Sequence, residues 1–258
     1  MEDDPIRMKI SILADSLALP REDVAKDRPF EVTYPYLLDQ SFRRRFGANA
    51  PLVMERGMRR RTIEYVLDEW TEQVELKSPE VVIVHVGVVD CAPRVFLRRE
   101  HAFVARIKLR FLRERILKFA HDHRRAIILK RPRVYVPLPR FEKHVIEVVQ
   151  RAQRDKVRLL VFINIISPPD SVEERSPGFQ SNVDRYNQVL AQQAKHPHVA
   201  LVDLNGLLHR EGGSAGLTVD GVHLTERGHM LIAQQLDELV TPLVERELQL
   251  THVSQIAK

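Results

Sequence analysis

Five short stretches of this chain are apolar at consecutive positions instead of at every second or every third to fourth one. They are residues 8–13, 52–54, 81–86, 157–163 and 199–202. Short β-branched runs without alternation are what strands look like when both faces of their sheet are covered. Between them the period changes. Residues 62–74 put Ile63, Val66, Leu67 and Trp70 on one helical face, and 183–195 do the same with Tyr186, Val189 and Leu190. Residues 225–248 carry a stripe of Ile232, Leu236, Leu239, Val240 and Leu243, with Thr225 placed to cap the first turn. Strands alternating with helices predict an α/β fold, a parallel sheet of about five strands between two helical layers.

The interval between the third and fourth strands is too long for one crossover helix. It opens with a basic helical pattern over 98–118, given apolar character by Ile107, Phe111 and Ile116. A proline-rich break follows at 131–139, then a second helix over 141–154. We read it as an insertion at about 95–155 within a single domain spanning 1–258. A lid, a homo-oligomer surface and a binding platform all fit it. Phe111 and Phe119 read as core residues of its helices.

Charge sharpens the picture of this insertion. The chain as a whole is +5, but residues 94–158 hold twenty Lys/Arg against six Asp/Glu, a balance of +14 that leaves the remainder at −9. Such segregation points to an acidic partner or to a solvated helical surface. Nucleic acid is not expected: Phe103, Phe111, Phe119 and Tyr135 lie among the charges, but Phe111 and Phe119 read as helix-core residues and not as an exposed base-stacking surface. At 258 residues the chain can bury a large core. No apolar run is long enough for a transmembrane segment. The acidic start, Met1 to Pro5, lacks a signal peptide's pattern, and the single Cys91 excludes an internal disulfide framework. A cytoplasmic location is the plain expectation, with a membrane-surface location left open.

Candidate chemistry sits at the two ends. The first strand runs into Ala14-Asp15-Ser16-Leu17, and Asp220-Gly221-Val222-His223-Leu224 precedes the last helix. A serine hydroxyl needs a base to become a nucleophile. His223 can take its proton, and Asp220 can orient the imidazole. Asp15 shapes the turn at Ser16. Open α/β sheets bind ligands beyond the carboxyl ends of their strands, where these segments fall. Glu55-Arg56-Gly57-Met58 and His85-Val86-Gly87-Val88-Val89-Asp90 follow the second and third strands in the same way.

Other motifs weigh less. Gly212-Gly213-Ser214-Ala215-Gly216 has the spacing of a nucleophile elbow but no strand before it, and reads as a turn. His85 is either a pocket residue or a buried, satisfied histidine. Cys91 reads as a small buried residue. His121 and His123, and likewise His196 and His198, share no face with a carboxylate, so no metal is expected. Arg43 to Arg45 and Arg59 to Arg61 are short basic runs, the second of them opening a helix and either facing the site mouth or solvated.

Taken together, these blocks resemble the SGNH (GDSL) hydrolase family from residue 8 to about 240. The resemblance implies a flavodoxin-like three-layer α/β/α fold and a serine esterase that needs no cofactor. It implies Ser16, Asp220 and His223 as catalytic residues, and the backbone amides of Ser16 and Gly57 as the oxyanion hole. Gly87 and Asp90 match the ends of the family's Gly-x-Asn-Asp block. Two positions depart from the pattern: Ala14 stands where the family has glycine, and Val89 where it has the oxyanion-hole asparagine. Asp15, Arg21, Arg56, Gly87, Asp90 and Arg94 make up the expected substrate-binding set, its arginines suited to an anionic substrate. The expected substrate is a small-molecule or glycan ester, with a small acyl group, acetyl foremost, on a carbohydrate or its precursor. The Asp-Ser-Leu-Ala-Leu-Pro-Arg start resembles members linked to bacterial surface-polysaccharide assembly. Acyl transfer with the same triad, and a catalytically weak module that binds an anionic glycan or a partner, remain as alternatives.

Overall fold

A computed structural model describes residues 7–21, 23–24, 26–213 and 217–256, with side chains through residue 250. Five strands, β1 (Lys9–Ala14), β2 (Leu52–Gly57), β3 (Val81–His85), β4 (Leu159–Ile163) and β5 (Val199–Val202), form one sheet. Every pairing is parallel and the order is β2-β1-β3-β4-β5. Among the described residues the helices are α1 (Tyr34–Phe46), α2 (Ile63–Asp68), α3 (Val88–Cys91), α4 (Arg98–Ala105), α5 (Arg110–Asp122), α6 (Arg124–Lys130), α7 (Leu138–Arg154), α8 (Asp170–Arg175), α9 (Phe179–Gln193), α10 (Leu204–Arg210) and α11 (Glu226–Ile256).

The consecutive apolar residues of the strands divide between two cores, because successive strand side chains point to opposite faces. Ile10, Ile12, Val81, Ile83, Val161 and Ile163 meet α1, α10 and α11 on one side. Leu13, Val82, Val84, Leu160 and Phe162 meet α2, α7 and α9 on the other. This is the predicted three-layer α/β/α arrangement. Helix α1, absent from the sequence reading, buries Tyr34, Leu38 and Phe42 at a spacing of four and ends at Gly47, whose φ of 54° closes the helix. The Ser41 hydroxyl ties it to the Asp237 carboxylate on α11 at 2.7 Å. Thr225 caps α11 as expected, its hydroxyl accepting the Gly228 N–H at 3.2 Å.

The structure corrects several element bounds. Residues 62–74 are not one α-helix: α2 is followed by a π-helical turn, Thr71–Glu75. The basic run Arg59 to Arg61 lies in the turn before α2, where Arg60 has a φ of 65°, instead of opening the helix. The 98–118 pattern breaks at Arg106 and folds back as α4 and α5, which lets Ala120 of α5 pack with Val95 and Ile128 in a small separate core. Phe111 and Phe119, expected as core, are 63% and 60% exposed, because no further layer covers this hairpin. No described helix is long and apolar enough to cross a membrane.

Candidate active site

The carboxyl edge of the sheet gathers the loops that follow β1, β2 and β3. Beyond Ala14 the chain turns sharply into a short 3-10 helix, Ser16–Ala18. Asp15 makes this turn: its carboxyl accepts the Leu17 N–H at 2.9 Å, and its own amide donates to the His85 carbonyl at 3.0 Å. Ser16 is thereby fixed on the rim. The Ser16 N–H has no acceptor among the described residues.

The loop from 217 to 225 brings the other two groups. An antiparallel bridge between Thr218 and Leu224 closes it, and the Val219 N–H donates to the His223 carbonyl at 2.7 Å. Gly221 sits at the tip with a φ of 82°, and any Cβ there would lie 2.5 Å from the Pro169 ring. The Asp220 carboxylate accepts the His223 and Val222 amides at 2.8 and 3.2 Å and also faces the imidazole: Oδ2 lies 2.8 Å from Nδ1. On the far side of the ring, Nε2 is 3.2 Å from Ser16 Oγ. A carboxylate can only accept, so the Nδ1 proton is held by Asp220 and Nε2 presents its lone pair to the serine. Partial burial would raise the Asp220 carboxyl, but the hydrogen bonds from His223 and Val222 outweigh it and hold it below the usual carboxylate range. The three residues expected as catalytic from the sequence therefore stand in line.

The expected substrate-binding residues are placed differently from one another. Arg21 reaches the triad, with Nη1 4.0 Å from Asp220 Oδ2, while its other contacts go to Asp23. Arg56 is exposed and turns to the Gln73 side chain at 3.3 Å. Gly87 precedes α3 with a φ of 130°, and a Cβ there would lie 2.5 Å from Ile165. Asp90 is enclosed, accepting the first amide of α2 from Ile63 at 2.9 Å. Arg94 donates to the Val89 carbonyl at 3.0 Å and lies over the Tyr135 ring. Asp90 and Arg94 thus hold the β3 loop together. Asp15 does the same beneath Ser16.

The expected oxyanion hole is only partly open. The Gly57 amide donates to the Glu55 side chain two residues earlier. A Cβ at Gly57 would crowd both Glu55 and Leu19, so the backbone passes very close to the Ser16 turn. Burial pushes the Glu55 carboxyl up, with the Gly57 bond acting against it. Val89 lies nearly buried in α3 and brings no side-chain donor. The Glu55 engagement was missed in the sequence, although Glu-x-Gly at a strand end was its visible signal.

Below the rim lies a polar layer. Tyr34 Oη is 3.2 Å from His85 Nδ1, and the Tyr34 N–H donates to His229 Nδ1 at 3.2 Å. Burial depresses both imidazoles, His85 to about 3 and His229 to about 4. His85 is therefore buried and neutral, held against Tyr34. Burial raises the carboxyls of Asp15 and Asp90 to about 7 and about 8. Oδ2 of each has no hydrogen-bond partner among the described residues, as suits a neutral acid. Among the described residues no three of His, Cys, Asp and Glu stand close enough to hold a metal ion. Cys91 is buried as expected. Ser214, Ala215 and Gly216 of the glycine-rich turn lie outside the described residues.

The raised Asp90 carboxyl gives stability a definite pH dependence. Between the ordinary carboxylate value and about 8, the folded chain keeps a proton that the unfolded chain has released. Stability must then fall as pH rises through that window. The two histidines act in the opposite sense and only below their ordinary value near 6.5. From pH 6.5 to 8 the acids alone matter. Asp90 contributes about 1.4 kcal/mol per pH unit, or roughly 3–5 °C in melting temperature. Asp90→Asn keeps the Oδ1 acceptor and should flatten this slope in thermal melts at pH 6.5 and 8. Parallel slopes for the two proteins would show that Asp90 is ionised in the fold.

Comparisons with known proteins bear on the family and the fold. A family model described as the GDSL-like lipase/acylhydrolase family matches residues 23–231. No curated protein matches the sequence. Among solved structures, a lipase/acylhydrolase from Enterococcus faecalis superposes with a TM-score of 0.63 at 14% identity, covering 90% of this chain and 95% of that one. The acetyl xylan esterase AlAXEase gives 0.61 at 16% identity, over 90% and 100% of the two chains. A variant of Axe2, an acetylxylan esterase from Geobacillus stearothermophilus, gives 0.58 at 19%, over 90% and 93%. At these identities the structural likeness establishes the fold.

Proposed function

The chain belongs to the GDSL-like lipase/acylhydrolase family, and from that premise we propose that this ester-hydrolysing enzyme removes a small acyl group, acetyl foremost, from a carbohydrate or carbohydrate precursor through an acyl–Ser16 intermediate. The observation that carries the mechanism is the unbroken line Ser16 Oγ, His223 Nε2, His223 Nδ1, Asp220 Oδ2, with spacings of 3.2 and 2.8 Å.

Ser16 Oγ attacks the acyl carbonyl carbon while its proton passes to His223 Nε2. The resulting imidazolium is stabilised by Asp220. As the tetrahedral species collapses, the carbon–oxygen bond to the alcohol breaks, and the alcohol oxygen takes the proton from Nε2. Water then repeats the sequence on the acyl–serine: it gives a proton to His223, and the carboxylic acid and Ser16 are released. No group beyond these side chains is required. The developing oxyanion meets the Ser16 amide first, because Gly57 is engaged by Glu55 and Val89 offers no donor. Glu55 must therefore swing away for the Gly57 amide to contribute.

The same two features favour one second reading. A triad with a half-built hole suits a protein that binds an ester or glycan and turns it over weakly. Arg21, 4.0 Å from Asp220, supports an anionic substrate in either case. The deciding experiment is labelling with a fluorophosphonate, followed by mapping of the adduct by mass spectrometry. An adduct on Ser16, lost in Ser16→Ala and His223→Ala, is the expected result, and acetate release from acetylated sugars then defines the substrate. No adduct in the folded protein would overturn the esterase mechanism in favour of binding.

A further inference from the structure

The insertion formed by α4, α5 and α6 exposes a surface unlike the rest of the molecule. Phe103 is 72% exposed, and Phe111 and Phe119 lie on its neighbouring helix with Arg115 between them in one row at a spacing of four. Leu109, Leu112 and Leu129 are exposed on the same three-helix unit. Between the helices lies a cavity of about 670 Å³ with apolar walls that include Phe96, Phe103, Ile116 and Phe119, and with Arg99, Lys130 and Arg131 among its lining. Exposed aromatic and aliphatic groups in this number are not ordinary surface scatter.

Charge identifies what covers them. Residues 98–131 hold twelve Lys/Arg against three Asp/Glu. Each of the three acids is already taken: Glu100 by Arg133, Glu114 by Arg110 and Asp122 by Lys118. Arg106, Lys108, Arg113, Arg115 and Lys130 form no ion pair with a carboxylate among the described residues. A second copy would bring the same excess of cations face to face, which like-charge repulsion opposes. Nucleic acid would satisfy the cations but not the exposed leucines, which cannot stack on bases. An anionic bilayer satisfies both, with headgroup phosphates for the arginines and the acyl boundary for the phenylalanines and leucines.

We infer that α4–α6 is an interfacial docking face that seats the protein on an anionic membrane surface. The apolar groups enter the headgroup boundary, the cations meet lipid phosphates, and the cavity has walls suited to an acyl chain and a rim suited to the phosphate above it. The insertion departs from the carboxyl edge of β3, the edge that carries Ser16, so docking holds the catalytic rim near whatever ester the membrane carries.

The test is co-sedimentation of the full chain with vesicles of phosphatidylcholine alone and of phosphatidylcholine with an equal part of phosphatidylglycerol. Binding to the second kind only, released by added salt, is expected. Arg106→Glu with Arg115→Glu should weaken it by about tenfold or more, and Phe103→Ser with Phe111→Ser should weaken it independently of salt. Both pairs should leave melting temperature and hydrolysis of a small soluble ester unchanged. Equal binding to both vesicles, or to neither, overturns the inference. So does a dimer in light scattering that Phe111→Ser disperses, or an oligonucleotide that binds at the same salt and displaces the vesicles.

Discussion

Ser16→Ala is expected to lower ester hydrolysis by about 10⁴-fold or more, with substrate binding little changed. In the proposed mechanism the serine oxygen is the atom that forms the new bond, and among the described residues no second hydroxyl is in contact with His223 to replace it. His223→Ala should cost a similar amount, and the double variant no more than either, because a nucleophile without its base and a base without its nucleophile fail at the same step. Asp220→Asn should be milder. Its side chain is 48% exposed, so water can solvate the imidazolium that forms once the carboxylate is gone. Steady-state kcat and KM on a chromogenic acetate ester would measure all four. A Ser16→Ala protein that keeps most of its kcat would mean that another group performs the chemistry.

Val89→Asn should move activity the other way. One correctly placed oxyanion donor is typically worth about 10²–10³ in turnover. Position 89 lies in the first turn after Gly87, whose φ of 130° already sets the backbone for that turn. A gain of about 10²-fold in kcat with little change in KM is expected. Glu55→Ala tests the other half of the hole by releasing the Gly57 amide, and its gain should add incompletely to that of Val89→Asn, since both donors serve one oxygen. An unchanged kcat in both variants would place the oxyanion elsewhere on the rim and remove the reason for slow turnover given above.

The strands were legible because burial on both faces leaves a run of apolar residues that needs no partner to be recognised. Ser16, Asp220 and His223 were legible through position, one motif after the first strand and the other before the last helix, although Asp-x-x-His alone carries little weight. Helix α1 was not, since Arg43 to Arg45 dominate its pattern while Tyr34, Leu38 and Phe42 are spread thinly along it. The Glu55 contact to Gly57 left only the Glu-x-Gly pattern as its trace: whether the carboxylate folds back onto that amide depends on the backbone at the end of β2, which residue types do not encode. Phe111 and Phe119 show the limit of periodicity. Their spacing says that they share a helix face with apolar neighbours, but not whether anything in the fold lies against that face. In α5 the described residues leave Phe111 and Phe119 exposed, and an expected core became a surface. The Asp90 carboxyl shows the same limit for charge, because a residue read as a ligand for substrate proved to be the partner of a backbone amide at the foot of α2.

The sheet order also governs when the enzyme comes to exist during its own synthesis. β1 occupies the second position in the sheet and must be flanked by β2 and β3, so the first strand translated cannot settle until two later ones emerge. Ser16 then waits for His223, 207 positions further on. At ordinary translation speeds that interval is on the order of 10–40 s. Throughout it the nascent chain carries Ser16 without His223, its base in the proposed mechanism. In the proposed mechanism, any chain terminated before the 217–225 loop holds Ser16 without the Asp220 and His223 that activate it, so an unfinished product is expected to be silent toward the esters around it.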